Sequence, residues 1–166
     1  MLKFNRNYRA EFEIGHRDPN DHLFYAEKKI TVEYPFTCQF DITSGTYQSS
    51  NNGAFQFVNL SRQDQADLWL DVYNKGKKHI HINFYAGYGK NMPLIFSGFV
   101  QSCTSHKQGG STEFITEILA FVGGNFFQYG YLNDCISKGT TLKNILDYAT
   151  KDFKDIKPGY ITPDIP

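Results

Sequence analysis

Three features that often announce a function are missing from this chain: an excess of charge of one sign, closely spaced cysteines and a long apolar run. Lys plus Arg and Asp plus Glu each number 17. No net field therefore draws the chain to nucleic acid or to an anionic bilayer, and specific nucleic-acid binding is not expected. Cys38, Cys103 and Cys135 lie far apart, with neither the paired spacing of a zinc site nor the density of a disulfide scaffold, so reduced structural thiols are expected. No stretch approaches the roughly 20 apolar residues needed to span a bilayer, and stable membrane insertion is not expected. Met1-Leu2-Lys3-Phe4-Asn5-Arg6 turns polar too soon for a signal peptide, so synthesis and first folding in a cytoplasm are expected. Internal repeats and low-complexity tracts are also lacking.

Aromatic residues are abundant instead. Fifteen Phe and eleven Tyr in 166 residues suit a pleated, half-buried surface better than a helix, and so predict a mainly β chain. The length fits one domain, or one domain and the start of another. Tyr8 to Ile14 alternates, with Tyr8, Ala10, Phe12 and Ile14 on a dry face and Arg9, Glu11 and Glu13 on a wet one. His16 to His22, through Asp18-Pro19-Asn20-Asp21, has loop chemistry. Lys28 to Ile42 reads as strand interrupted at Pro35, which cannot donate to a ladder. Turns at Thr43-Ser44-Gly45 and Ser49 to Gly53 precede a short strand, Ala54 to Val58.

Ser61 followed by Asp64 predicts a capped helix start, with Ala66, Trp69, Leu70 and Tyr73 as the apolar face and Asn74 to Lys78 as the stop. Trp69 is expected in the core. Next, Ile80, Ile82 and Phe84 oppose His79, His81, Asn83 and Tyr85 on a half-buried strand, and Gly87 to Pro93 leads to Leu94–Gln101. A connection at Ser105 to Ser111 gives Thr112–Val122, completing an antiparallel meander. Phe126 to Ile136 is aromatic and extended. Thr140 or Thr141 then caps a second helix, with Leu142, Ile145, Leu146, Ala149 and Phe153 along one stripe. That stripe needs a covering surface, supplied either by the barrel or by further chain.

No catalytic constellation emerges. His79 and His81 project from one side of a strand, as the start of a metal site would, but no third ligand follows. Cys38 alternates with Phe36 and Phe40 like a small buried residue, and Cys103 ends an apolar strand. Ser97 lacks a nucleophile elbow, and the glycine pairs at 109–110 and 123–124 do not open helices, so neither an acyl-transfer serine nor a phosphate loop is indicated. Glu113 and Glu117 share a strand face without a pocket. The chain is therefore expected to be no enzyme and to carry no cofactor and no metal.

The order of motifs is more telling. Asn59-Leu60-Ser61-Arg62 opens a helix, and a strand then reaches Ala86-Gly87-Tyr88. Pro93-Leu94-Ile95-Phe96-Ser97-Gly98-Phe99-Val100 follows, then a hairpin, a Thr-containing strand and Lys138-Gly139-Thr140-Thr141-Leu142-Lys143-Asn144-Ile145-Leu146. Together these resemble the baseplate hub proteins of contractile-tailed bacteriophages and the related hub portion of type VI secretion spike proteins, over roughly Ala54 to Phe153.

The resemblance implies a β-barrel or split-barrel tube domain with one packed helix over residues 1–125. Residues 126–166 would form an aromatic extended segment and an amphipathic helix that begin a second domain. It implies a structural role in a virion tail baseplate assembled in the bacterial host cytoplasm, as a homotrimeric ring that continues the tail tube and contacts tube and spike proteins. A ring subunit needs a buried interface and a wet channel face. Tyr85, Tyr88, Phe126, Phe127, Tyr129 and Tyr131 are the interface candidates, because aromatic side chains are enriched there. His79, His81 and Asn83 are candidates for the wet or channel face. A monomeric β-barrel module binding a small ligand or carbohydrate is the alternative, and a small hydrolase or metalloenzyme built on His79 and His81 is a third reading.

Overall fold

The computed structural model describes residues 6–18, 24–45, 51–70, 78–122 and 139–150. They form seven strands: β1 (Arg6–Arg17), β2 (Phe24–Glu33), β3 (Cys38–Thr43), β4 (Asn52–Val58), β5 (His79–Tyr88), β6 (Leu94–Lys107) and β7 (Phe114–Phe121). Two short helices accompany them, α1 (Arg62–Leu68) and α2 (Leu142–Thr150). The chain divides into two compact units, Met1–Arg17 with Phe24–Gly124, and Asp18–Leu23 with Asn125–Pro166.

The expected mainly β fold is present. All seven strands join one antiparallel sheet in the order β2-β1-β5-β6-β7-β4-β3. It is not a closed barrel, because β2 and β3 are the two edges and do not pair with each other. They are nonetheless consecutive in sequence, joined through the Tyr34–Pro35 cis peptide and Phe36. Pro35 thus separates two strands that go to opposite edges, where the sequence suggested one interrupted strand region.

So short a connection between opposite edges requires the sheet to curl back on itself, and its inner face fills accordingly. The Phe12 and Phe57 rings, on β1 and β4, stand 5.9 Å apart edge to face. Phe84 on β5 meets Phe40 on β3 at 4.8 Å and Phe55 on β4 at 4.9 Å. None of these strand pairs is adjacent in the ladder, so side chains, not backbone, bring the far parts of the sheet together. The Tyr8 hydroxyl adds a stitch by donating to the Phe36 carbonyl at 2.6 Å. Phe12, Phe55, Phe57 and Phe84 are fully buried, each stabilising the fold by about 1.5–3 kcal/mol through removal of its ring from water. The interior is therefore packed side chain, and any channel made by such a domain lies outside it.

Alternation explains the strands. On β1, Ala10, Phe12 and Ile14 are buried, and on β5, Ile80, Ile82 and Phe84 are, as their period of two predicts. β1 continues through His16 to Arg17, so those two residues are strand, not the loop expected from the nearby Pro and Asp. His16 Nδ1 lies 2.7 Å from Glu27 Oε1 on β2, a cross-strand partner that carries the ladder past the turn chemistry. Two glycines in the meander are required by close approach. A Cβ on Gly87 would lie 1.9 Å from the Asn91 carbonyl oxygen, and one on Gly98 would lie 2.7 Å from that of Phe121.

α1 starts where the sequence indicates: the Ser61 hydroxyl oxygen accepts from the Asp64 amide at 3.0 Å. It stops earlier than expected, after seven residues. At Trp69 the backbone turns extended (φ −57°, ψ 122°). The chain then forms a β-bridge in which Leu70 and Cys103 exchange both backbone hydrogen bonds, at 2.9 and 3.0 Å. This corrects the reading of Trp69 as core, for its side chain is 51% exposed. Leu60, Leu68 and Leu70 take the buried positions instead. Lys78 Nζ donates to the carbonyls of Asp67 and Trp69, satisfying acceptors at the helix end, and Lys28 on β2 pairs with the Asp67 carboxylate.

α2 is capped as expected, the Thr141 hydroxyl oxygen accepting from the Asn144 amide at 3.4 Å. Leu142, Ile145 and Leu146 are half-buried while Lys143, Asn144, Asp147 and Tyr148 are exposed. The side chain of Ala149, and Phe153, lie outside the described residues.

Candidate functional site

Strand alternation puts His79, His81, Asn83 and Tyr85 on the outer face of β5. The register lays Glu13, His81 and Phe99 in one row across β1, β5 and β6, and Glu11, Asn83 and Ser97 in the next. These side chains are half-buried, because long neighbours lean over them. His81 lies edge to face with Phe99 at 4.9 Å and 6.5 Å from the Phe24 ring. Its Nε2 is 3.2 Å from Ser97 Oγ, and its Nδ1 is 4.0 Å from Glu13 Oε2. Burial pulls the His81 pKa below its usual value, and nearby Glu13 offsets this only in part. His79 is also lowered, first by burial and then by its neighbours Arg17 and His16. At neutral pH both imidazoles are therefore held uncharged.

Cations cover the aromatic rings at both ends of this face. The Arg9 guanidinium lies 4.7 Å from the Tyr85 centroid, and Arg17 lies 5.0 Å from that of Phe99. Arg9 Nε also approaches Glu11 Oε1 at 3.2 Å, without the alignment of a hydrogen bond, while Lys29 Nζ donates to Glu11 at 2.9 Å. Composition gave no signal for this lattice of guanidinium, ring and carboxylate. It follows from cross-strand register, which pattern alone leaves open.

The interface candidates divide. Tyr85 is half-buried under Arg9, whereas Tyr88, ending β5, is 42% exposed and bridges to Asn91 in the connection to β6. The structure brings Tyr85, His79, His81 and Asn83 onto one face and leaves Tyr88 at its rim. Phe126, Phe127, Tyr129 and Tyr131 lie outside the described residues.

Among the described residues no group of three or more His, Cys, Asp or Glu is placed to hold a metal ion, and no helix is long and apolar enough to cross a membrane. Burial pushes the Cys38 and Cys103 thiols up to about 12, so both stay protonated and weakly nucleophilic at neutral pH. Glu117 faces outward and accepts from the Gln56 side chain at 3.0 Å.

A separate groove of about 470 Å³, which the sequence reading did not anticipate, lies between α1 and the β6–β7 hairpin, lined by Arg62, Gln65, Ala66, Trp69, Ser105 and Phe114.

No protein-family model matches this chain, and no curated protein matches it either. Among solved structures, it is similar in fold to a chain of the Francisella PdpA–VgrG complex in its half-lidded form, with a TM-score of 0.52 and 15% identity over 90% of this chain. The lidded form of the same complex gives a TM-score of 0.45 and 13% identity over 85% of this chain. The chain spans about a fifth of the length of those solved chains, 22% and 19%. At this identity the likeness is one of fold.

Proposed function

We propose that this chain is a structural, spike-associated subunit of a contractile-tail-type particle, a baseplate hub domain that forms a ring, continues the tail tube and holds the central spike. One observation carries the reading: the curled, seven-stranded split barrel follows the fold of a chain from a complex that includes the spike protein VgrG. The order of motifs from Asn59 to Leu146, which resembles hub proteins, supports it independently. Several of those motif residues have mechanical roles that such a fold needs. Asn59, with a left-handed φ of 59°, donates its amide to the Phe114 carbonyl and accepts from the Phe114 amide through Oδ1, pinning the approach to α1 onto β7. Gly87 and Gly98 allow the backbone contacts of the β5–β6 meander.

A non-catalytic role goes with this reading. Of the two described thiols Cys103 is buried and Cys38 half-buried, and both are protonated; His81 is engaged with Ser97 and Phe99, and the inner face is filled with phenylalanine. The filled interior also weighs against a monomeric module that would hold its ligand inside the barrel. In the assembly, the outer face of β1 and β5 would look onto a neighbour or the channel, and the particle would be a virion tail assembled in a bacterial cytoplasm. The test is co-expression with a tail-tube protein and a spike protein from the same genome, followed by light scattering and negative-stain imaging. A trimeric ring with a central channel, bound to spike, is the expected result. A chain that stays monomeric at high concentration with both partners present would overturn the hub reading.

A further inference from the structure

The groove beside α1 takes no part in the fold's closure and lies away from the outer face of β1 and β5. Its floor is apolar: Trp69 is 51% exposed, Phe114 is 39% exposed, and Ala66 is the small residue lining it between them. Its polar lining is already committed. The Gln65 amide donates to the Leu60 carbonyl at 2.7 Å, and the Ser105 and Thr116 hydroxyls are bonded to each other at 2.9 Å. Among the described residues Arg62 is the charged one lining the groove, and Lys107 stands in register with Phe114 on the same side of the hairpin. Among the described residues neither cation has a hydrogen-bond or ion-pair partner, whereas Lys28, Lys29 and Arg9 all have an acid close by. Two cations without such partners flank an exposed indole and phenyl ring, and Trp and Arg are among the residue types enriched where protein partners are anchored.

We propose that this groove docks a segment of a partner protein that presents a large apolar side chain next to a carboxylate. The apolar group would lie between Trp69 and Phe114, and the carboxylate would meet Arg62, with Lys107 adding to the field. Charge complementarity selects this occupant, since a basic segment would face both cations and a neutral one would leave Arg62 unused. The proposal does not depend on the hub assignment, because it uses only groups of the groove.

Trp69 is the sole tryptophan of the chain, so its emission reports the site directly. The probes are the blocked dipeptides acetyl-Phe-Asp-amide, acetyl-Phe-Asn-amide and acetyl-Gly-Asp-amide, titrated against the full chain. Acetyl-Phe-Asp-amide should shift the emission saturably and bind about two- to fivefold more tightly than the Asn form, the factor an exposed ion pair supplies. Acetyl-Gly-Asp-amide should not saturate. Arg62→Gln should shrink the difference between the Asp and Asn probes while leaving the weaker apolar binding, and Ala66→Glu should block both phenylalanine probes with the thermal midpoint kept. Equal binding of the Asp and Asn probes, or a response that survives Ala66→Glu, would overturn the proposal. So would an emission shift that needs no probe and tracks chain concentration together with dimer formation, since the occupant would then be a second copy.

Discussion

The Phe40–Phe84 contact is the sharpest test of the curl, because β3 and β5 are separated by β4, β7 and β6 in the sheet order. Their rings meet at 4.8 Å only if the sheet folds back on itself. Phe84 is fully buried and also touches Tyr8 at 6.0 Å and Phe55 at 4.9 Å. Phe84→Leu keeps most of the volume and should cost about 1–1.5 kcal/mol. Phe40 is 44% exposed, so Phe40→Ala should cost about half of the roughly 3–5 kcal/mol typical of a fully buried phenylalanine. If the rings interact, the double variant should lose less than the sum of the two, by the roughly 0.5–1.5 kcal/mol that an aromatic pair contributes beyond its area. Urea melts followed by far-ultraviolet circular dichroism give all three values with a common slope. Additivity to within about 0.3 kcal/mol, with both single variants clearly destabilised, would mean that β3 does not close over β5 and would refute the split-barrel packing.

Leu70→Ala should destabilise by about 2–5 kcal/mol, since its side chain is buried beside Cys103, whereas Trp69→Ala should stay within about 1 kcal/mol in the same denaturant melts. Asn59→Ala removes the bond to the Phe114 amide and puts at φ 59° a residue that tolerates the left-handed region less well than Asn, so its thermal midpoint should fall by the equivalent of about 1–2 kcal/mol, and Asn59→Gly should recover the backbone part. For pH, the pKa values of His79 and His81 are lowered in the folded state. The unfolded state therefore takes up their protons first. Their contribution is fully present above the ordinary histidine value of 6.5 and is lost as pH falls through the lower folded values. His81→Asn should flatten the acid side of a plot of stability against pH, and an unchanged slope would show that His81 is not the titrating group.

Period-two alternation made β1 and β5 legible down to the buried residue, because one face of each is dry along its length. The cap at Ser61 was legible for the same local reason. What could not be read were consequences of distant parts meeting. Pro35 marks a break, yet nothing near it says that the strands on either side go to opposite edges. Trp69 follows the helical period, but its fate was set by Leu70 pairing with Cys103, more than thirty residues onward. The half-burial of His79 and His81 came from Phe24, Phe99 and Arg17, residues on three different strands. The groove was hidden because α1 ends at Leu68, five residues short of Tyr73, the last residue of its expected apolar face. Among the aromatic interface candidates, Tyr85 and Tyr88 were placed, and Phe126, Phe127, Tyr129 and Tyr131 lie beyond the described residues.

A barrel held shut on one side by rings instead of by backbone has a weak seam. Opening along that seam breaks aromatic contacts and the Tyr8 stitch but no rung of the ladder, and because the short link through Tyr34–Pro35 ties β2 to β3 at one end, loosening starts at the other end, where Phe24 and Thr43 bound the two edges. The molecule thus has a built-in order of loosening, edges first and the middle of the sheet last. The looseness is confined to the end away from Pro35, a local freedom that a barrel laced by hydrogen bonds all round does not have.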